Sequence, residues 1–322
     1  MDRRFLKLVV LCCAAVWLIC GADTAWAKFP EKKIRLIVPV SPGGGADTLA
    51  RMVTRHANAF LQEKMYVENV TGGGMAIGFR EGAKAAPDGY TVTFLVTTIT
   101  TAPHVIKDYP TVDQYDPICI LATDPMMLSV HIDSPHKTIS ELIAYGKANP
   151  GKLSVGTPGQ GSVGHLGMAF FADAKGSQYT YVPFKGSAPL LAAAAGKHVD
   201  VATSTCSEGI SLVGGKKLRP LLVFNEERSP LYAEVPTTKE MGLDLFISYW
   251  RAMAVPKGTP SEVKAVLVEA FRKAMEKEEV KKFLDQQGLN RVFLPPDQAG
   301  PWLKNQHEFF GKIAKKIGLQ PQ

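Results

Sequence analysis

The run Ile34–Asp47, IRLIVPVSPGGGAD, constrains this chain more than any other stretch. An apolar, β-branched segment is followed by a proline, three consecutive glycines and an amphipathic run. That order predicts a strand, a tight loop and a helix. Such a loop presents backbone N–H groups at a helix N-terminus, where the helix dipole favours an anion. Glycine has no Cβ, so the backbone there can come close to a ligand. Val40, Ser41, Gly43, Gly44 and Gly45 form the first candidate binding loop. Asp47 is a first-turn helix acid that would oppose an anion in the same cradle. It is expected to orient the loop, or to meet a ligand amine or hydroxyl through water.

Residues 1–27 carry the three parts of a secretory signal. Arg3, Arg4 and Lys7 form a basic start, Leu8–Gly21 an apolar stretch too short for a comfortable span, and Ala25-Trp26-Ala27 a small-residue cleavage site. Cleavage after Ala27 is expected, so the chain reads as exported. The formal net charge of +7 is carried by scattered lysines, with no basic stripe interleaved with aromatics. Nucleic acid is therefore excluded as a partner, while a mild positive field would draw a small anion. Of the five cysteines, Cys119 and Cys206 lie beyond the leader. They form either a disulfide or two buried thiols. No spacing suggests a metal, and no cofactor is expected.

Strand-like and helix-like segments alternate from Lys33 onward. Strands are read at Ile34–Val38, Tyr66–Glu68, Tyr90–Val96, Ile118–Leu121, Met127–His131, Leu153–Val155, Tyr179–Pro183, Val199–Ala202 and Leu218–Val223, with helices among them. From Ser261 the chain reads as helical to its end. The pattern predicts an α/β protein with mainly parallel sheets. Two lobes are expected, residues 28–125 with 251–322 and residues 126–250, with the chain crossing at least twice. The loop between Tyr109 and Pro117 and the change after Trp250 are the candidate crossings.

A second glycine-rich loop, Gly156–His165 (GTPGQGSVGH), also opens a helix. Gly159, Gly161 and Gly164 formally match a dinucleotide fingerprint. No acidic residue follows where a ribose partner belongs, so an anion loop is the better reading, with Gly161, Ser162 and Val163 as its contacts. Ser162 serves as helix cap, ligand contact or both. His165 lies one turn on, but no elbow motif, orienting acid or oxyanion hole accompanies the Ser–His pair. Gly72–Gly74 reads as a turn needing positive φ. Lys185 is an anion contact or a solvated loop lysine. Arg251 is a bidentate carboxylate clamp or an interlobe ion pair.

Taken in order, several stretches resemble the receptors of the tripartite tricarboxylate transporter (Bug/TctC) family. They are FPEKKIRLIVPVSPGGGADTLAR (29–51), APDGYT (86–91), TISELIAYGKANPGKLSVGTPGQGSVGHL (138–166), VPFKGSAPLLAAAAGKHVD (182–200), RSPLYAEVPTTKEMG (228–242) and AVPKGTP (254–260). The resemblance implies a type II-like periplasmic binding fold with two α/β lobes and a hinged cleft, a periplasmic location and no enzymatic activity. It implies a small organic carboxylate as ligand and integral membrane permease subunits as partners. It also brings Thr97–Thr101 and Thr203–Thr205 to the cleft, with Thr98, Thr100, Thr203 and Ser204 as contacts. Two departures stand out: Val40-Ser41 where the family often has an aromatic or a second proline, and Ala202–Glu208 without the frequent Asp. A missing acid favours a ligand without an amine, such as a dicarboxylate or an aromatic acid. A sensor subunit for a receptor kinase and an exported hydrolase using Ser162 and His165 are the alternatives.

Overall fold

The computed structural model describes residues 29–321; the leader and its cleavage site lie outside the described residues. Ten strands are joined by pairing: β1 (Ile34–Val38), β2 (Met65–Asn69), β3 (Thr91–Val96), β4 (Tyr115–His131), β5 (Ser154–Thr157), β6 (Thr180–Pro183), β7 (Val201–Thr205), β8 (Leu218–Val223), β9 (Ser248–Pro256) and β10 (Asn290–Leu294). The helices are α1 (Gly45–Ala57), α2 (Ala76–Lys84), α3 (Thr98–Thr101), α4 (Ile139–Ala148), α5 (Val163–Lys175), α6 (Ser187–Ala195), α7 (Cys206–Gly214), α8 (Ser261–Met275), α9 (Glu278–Gln286) and α10 (Pro296–Lys316).

One sheet runs β2-β1-β3-β9-β4, with β10 on the other edge of β4. The second runs β8-β4-β7-β5-β6. Side chains of β1 are buried at four of five positions, as expected of a strand covered on both faces. In α1 the buried residues Leu49, Ala50, Val53 and Ala57 make one stripe facing the sheet. The outer pairs, β1 with β2 and β3, and β5 with β6 and β7, are parallel. Every pairing of β4 and β9 is antiparallel. The mainly parallel sheet predicted from the alternation is therefore confined to the flanks.

The two strands expected at Ile118–Leu121 and Met127–His131 are one 17-residue strand, β4. Its first half pairs with β9 and its second with β7 and β8. Pro125 reads as a break in sequence because it has no N–H to donate. It sits where the strand leaves one sheet for the other, opposite Ser248. The first crossing is thus inside β4, beyond the loop between Tyr109 and Pro117. The second lies where Ile247 enters β9, and there Met126 N donates to Ile247 O at 2.8 Å. Two strands in the C-terminal third, β9 and β10, do not follow from the sequence pattern.

Two large apolar cores follow the two sheets. One gathers Phe29 to Ala122 with Trp250 to Leu303; the other gathers Met126 to Ile247. Helix α10 belongs to both. Its Ala299 and Leu303 pack in the first core, and its Phe310, Ile313 and Ala314 in the second. Cys119 and Cys206 are buried free thiols, and burial pushes the Cys206 thiol up to about 12.

Phe310 is fully buried, so Phe310→Ala should cost about 3–5 kcal/mol of unfolding free energy. Urea denaturation measures it, and a loss below about 1 kcal/mol would mean that the end of α10 is not part of the second core.

His104 stacks on His307 of α10, with ring centroids 4.3 Å apart, and its Nε2–H donates to His307 O at 2.9 Å. Burial, then the neighbouring His307, holds His104 below the ordinary imidazole value. A depressed value in the folded state means that the unfolded chain takes up the proton first. The contribution is whole above the unfolded value of about 6.5 and is lost as pH falls through the folded value. The urea midpoint should therefore drop between about pH 7 and pH 5, with a shallower slope in His104→Gln. Equal slopes for both proteins would remove His104 as a cause.

Candidate functional site

The carboxyl ends of β1, β3, β5, β6 and β7 all open toward one cleft between the sheets, of about 640 Å³. Ligands of α/β proteins gather at such strand ends. Four helix N-termini border it: Gly45 and Ala46 of α1, Ser162 and Val163 of α5, Gly186 and Ser187 of α6, and Ser207 and Glu208 of α7. The backbone N–H groups of Gly45, Ala46, Val163 and Ser187 have no hydrogen-bond acceptor among the described residues. Tyr249, Trp250 and Arg251, where the chain re-enters the first lobe, form the floor.

The loops are held by buried side chains behind them. Asp47, nearly inaccessible, accepts from Gly43 N at 2.9 Å and Arg51 Nε at 2.9 Å, and its other oxygen accepts from Asn69 Nδ2 at 2.8 Å. The same amide donates to Val40 O at 2.8 Å. Burial alone would raise the Asp47 carboxyl; the hydrogen bonds from Arg51, Asn69 and Gly43 outweigh it and hold it below the usual carboxylate range. Asp47 therefore fixes the first loop from the rear and does not line the cleft.

Ser162 is the N-cap of α5: its Oγ accepts from His165 N at 3.3 Å. His165 Nδ1 in turn accepts from Gly161 N at 3.0 Å, and its ring packs edge-on against Tyr181 at 4.9 Å. Burial lowers the imidazole below its ordinary value, which matches a neutral ring accepting at Nδ1. That acceptor is engaged by the backbone and not by the Ser162 hydroxyl, so the pair lacks the geometry of a nucleophile and its base. Tyr249 Oη accepts from Gly164 N at 3.1 Å and ties the same turn to the floor.

Arg251 donates from Nη1 to Tyr249 O at 2.9 Å and forms no ion pair among the described residues. The nearby Asp124 is fully buried and accepts from both the backbone N–H and the hydroxyl of Ser207. Burial raises its carboxyl, against the opposing pull of Arg251 and of Ser207. Trp250 donates its backbone N–H to Thr97 Oγ1 at 2.7 Å. Its ring meets Trp302 edge-on at 5.6 Å, and its Nε1 has no partner among the described residues.

Of the candidate residues, Val40, Gly45, Thr98, Gly161, Ser162, Val163 and Arg251 line the cleft. Ser41, Gly43 and Gly44 belong to the same loop without lining it. Thr100 and Thr203 are buried and spend their hydroxyls on Thr97 O and Gly156 O; Ser204 is buried and donates to Thr205 O. Lys185 stands outside, beside the lining residue Gly186. The sequence reading did not single out Met75, Ala102, Val105 and Ile106, which supply an apolar wall, nor Ser187, Ser207, Glu208 and Gln287. One signal was available. Gly72, Gly73 and Gly74 all adopt positive φ, as the turn reading required, and that turn carries Gly74 and Met75 into the cleft. No group of three metal-ligating side chains occurs among the described residues.

A family model for the tripartite tricarboxylate transporter family receptor matches residues 49–319. A UPF0065 protein of Bordetella pertussis is 33% identical over 313 residues, covering 96% of this chain and 97% of that protein. Among solved structures, a TctC solute binding protein from Polaromonas superposes with a TM-score of 0.79 at 32% identity, covering 89% of this chain and 99% of the other. Rpa4515 of R. palustris with adipate gives a TM-score of 0.79 at 26% identity, covering 91% and 100%. MatC from Rhodopseudomonas palustris with bound malate gives 0.73 at 25%, covering 88% and 99%. The chain thus shares the two-lobed fold of a solute binding protein and of the periplasmic binding protein BugD. The chain belongs to the tripartite tricarboxylate transporter family of solute-binding receptors.

Proposed function

We propose that this chain is an exported receptor that captures a small organic carboxylate between its lobes and delivers it to an integral membrane permease. The observation that carries the reading is the convergence of four helix N-termini and Arg251 on one interlobe cleft. The N-termini of α1, α5 and α6 offer partial positive charge and unpaired donors to an anion, while that of α7 is already held by Asp124 and by its own cap. The donors belong to both lobes, so a ligand bridging them stabilises the closed arrangement over an open one. Adipate and malate, bound by the two similar proteins, are both dicarboxylates, which supports the ligand class. Non-enzymatic capture agrees with the engagement of His165 by backbone. The leader belongs to the same proposal, with lobes divided at about residues 125 and 250. Amino-terminal sequencing of the exported protein should begin at Lys28; a start at Met1 would make residues 1–27 an uncleaved anchor.

A thermal-shift screen of dicarboxylates, aromatic acids, sugars and nucleotides tests the ligand class. A ligand at about 100 times its Kd should add about 2.7 kcal/mol of stability. Among the described residues, Arg251 is the one cationic side chain lining the cleft, and a hydrogen bond to a charged group contributes about 1.5–3 kcal/mol. Arg251→Ala should therefore weaken the best carboxylate by roughly 10–100-fold in calorimetric titration. A response to sugars or nucleotides alone would overturn the ligand class.

A further inference from the structure

Behind the β4–β9 seam, on the side away from the cleft, lies a second groove of about 470 Å³. Side chains alternate along a strand. Tyr249 and Arg251 turn toward the cleft, so Ser248 and Trp250 take the other face, where the Trp250 ring meets Trp302. Thr123, opposite Trp250 in the ladder, shares that face. The groove spans the hinge. Thr123 and Ser248 belong to the crossing strands, and Asn225 and Phe246 to the second lobe. Helix α10 closes it with Trp302, packed on the first core, and Phe309, packed on the second.

The lining differs from that of the cleft. Among the described residues no lysine or arginine lines the groove, and its one acid, Asp244, accepts from Lys239 Nζ at 2.8 Å. The rings of Phe246, Trp302 and Phe309 supply apolar faces. The carboxamides of Asn225, Asn305 and Gln306 supply donors and acceptors together. Those of Asn305 and Gln306 have no protein partner among the described residues, nor do the hydroxyls of Thr123 and Ser248. An ion entering here would give up water without gaining a free counter-charge, which is costly. A neutral ring with polar substituents would not meet that cost, and a groove of this size between two lobes suits a small molecule. The groove and the cleft lie on opposite sides of one hinge. At the front the lobes touch, Gly161 against Val105 and Gly288 against Leu231 and Ile210. Swinging them apart there brings their rear edges together and narrows the groove.

We propose that this rear groove is a second binding site, for an uncharged ring bearing hydroxyl or amide groups, and that its occupant favours the arrangement in which the lobes touch. The ring lies against Phe246 and Trp302, and its substituents meet Asn305, Gln306 and Ser248. The same arrangement encloses a ligand at the front. The two sites therefore tighten each other by the same factor, a coupling that rests on the receptor reading above.

Phenyl β-glucoside is the probe, and phenyl β-glucuronide is its anionic counterpart. In calorimetric titration of the full mature protein the glucoside should bind, and the glucuronide about tenfold more weakly, as expected of a charge without a partner. Asn305 is exposed, so Asn305→Ala should fold normally and weaken the glucoside about 2–10-fold, the size of one lost hydrogen bond. Asn305→Trp should block the groove. Adipate at the front should tighten the glucoside about fivefold or more. No binding of the glucoside, equal binding of the glucuronide, or binding untouched by both Asn305 variants would overturn the site. Displacement of the glucoside by adipate would assign it to the front cleft and overturn the site as well. Independent binding of the two would overturn the coupling. Failure of adipate and every other carboxylate to bind would overturn the receptor reading instead, while the glucoside titrations still decide the groove.

Discussion

The antiparallel seam between β4 and β9 is the constraint on which the rest of the molecule depends. β4 is long enough to serve both sheets, and β9 runs beside it from the point of crossing. Each lobe is thus anchored to a shared pair of strands and needs no broad apolar interface with the other. The seam also sets the floor of the cleft. Tyr249, Trp250 and Arg251 are successive residues where β9 enters the first sheet. Their positions are fixed by ladder hydrogen bonds and by the paired contact of Trp250 with Thr97. Helix α10 adds a third tie, running along both cores. Motion of the lobes is then restricted to flexing of two strands and one helix, the small set of elements a hinge requires.

The loops that border the cleft present mostly backbone, and a backbone donor keeps its aim only if its loop does not move. Each loop has a buried side chain behind it. Asp47 and Asn69 hold the first, His165 and Tyr249 the second, and the reciprocal Thr205–Glu208 cap the third. Both partners in each of these contacts are protein groups, so the loops are held in place by the fold itself. Several polar residues that stand out in the sequence serve this purpose. Asp47, His165, Thr100 and Thr203 have hydrogen-bonding groups already matched to the protein, so they support the loops behind the cleft.

The division between legible and illegible parts of the sequence follows from range. Units built by local signals were readable: Ile34–Val38 matches β1 residue for residue, and the glycine loop, Asp47 and the amphipathic stripe of α1 follow from near neighbours. β9 and β10 were not readable, because their pairing partners lie far along the chain. The proline that interrupts β4 in sequence is tolerated only because the strand changes partners there, a fact of tertiary structure. The apolar wall is illegible in sequence for a similar reason. Val105 and Ile106 look like ordinary core residues in sequence, and only the arrangement of the lobes turns them toward the cleft.

The ends of the cleft show how close approach is achieved. Gly161, with φ of 69°, lies against Val105 of the opposite lobe, and a Cβ on the glycine would collide with that side chain. At another edge Gly288, with φ of 67°, lies against Leu231 and Ile210, again across the lobes. In both places an aliphatic side chain meets a residue with no side chain, in a backbone conformation that favours glycine. The lobes can therefore touch at these points while the cleft between them stays wide enough for a ligand. Close contact of this kind narrows the opening, and a donor counts for more where less water reaches it. Charge–dipole attraction is weak in water and strong where water is excluded. In the proposed receptor a site made largely of partial charges would thus depend on its closure more than one built from ion pairs, and the two rim glycines would serve it although neither supplies a charged group.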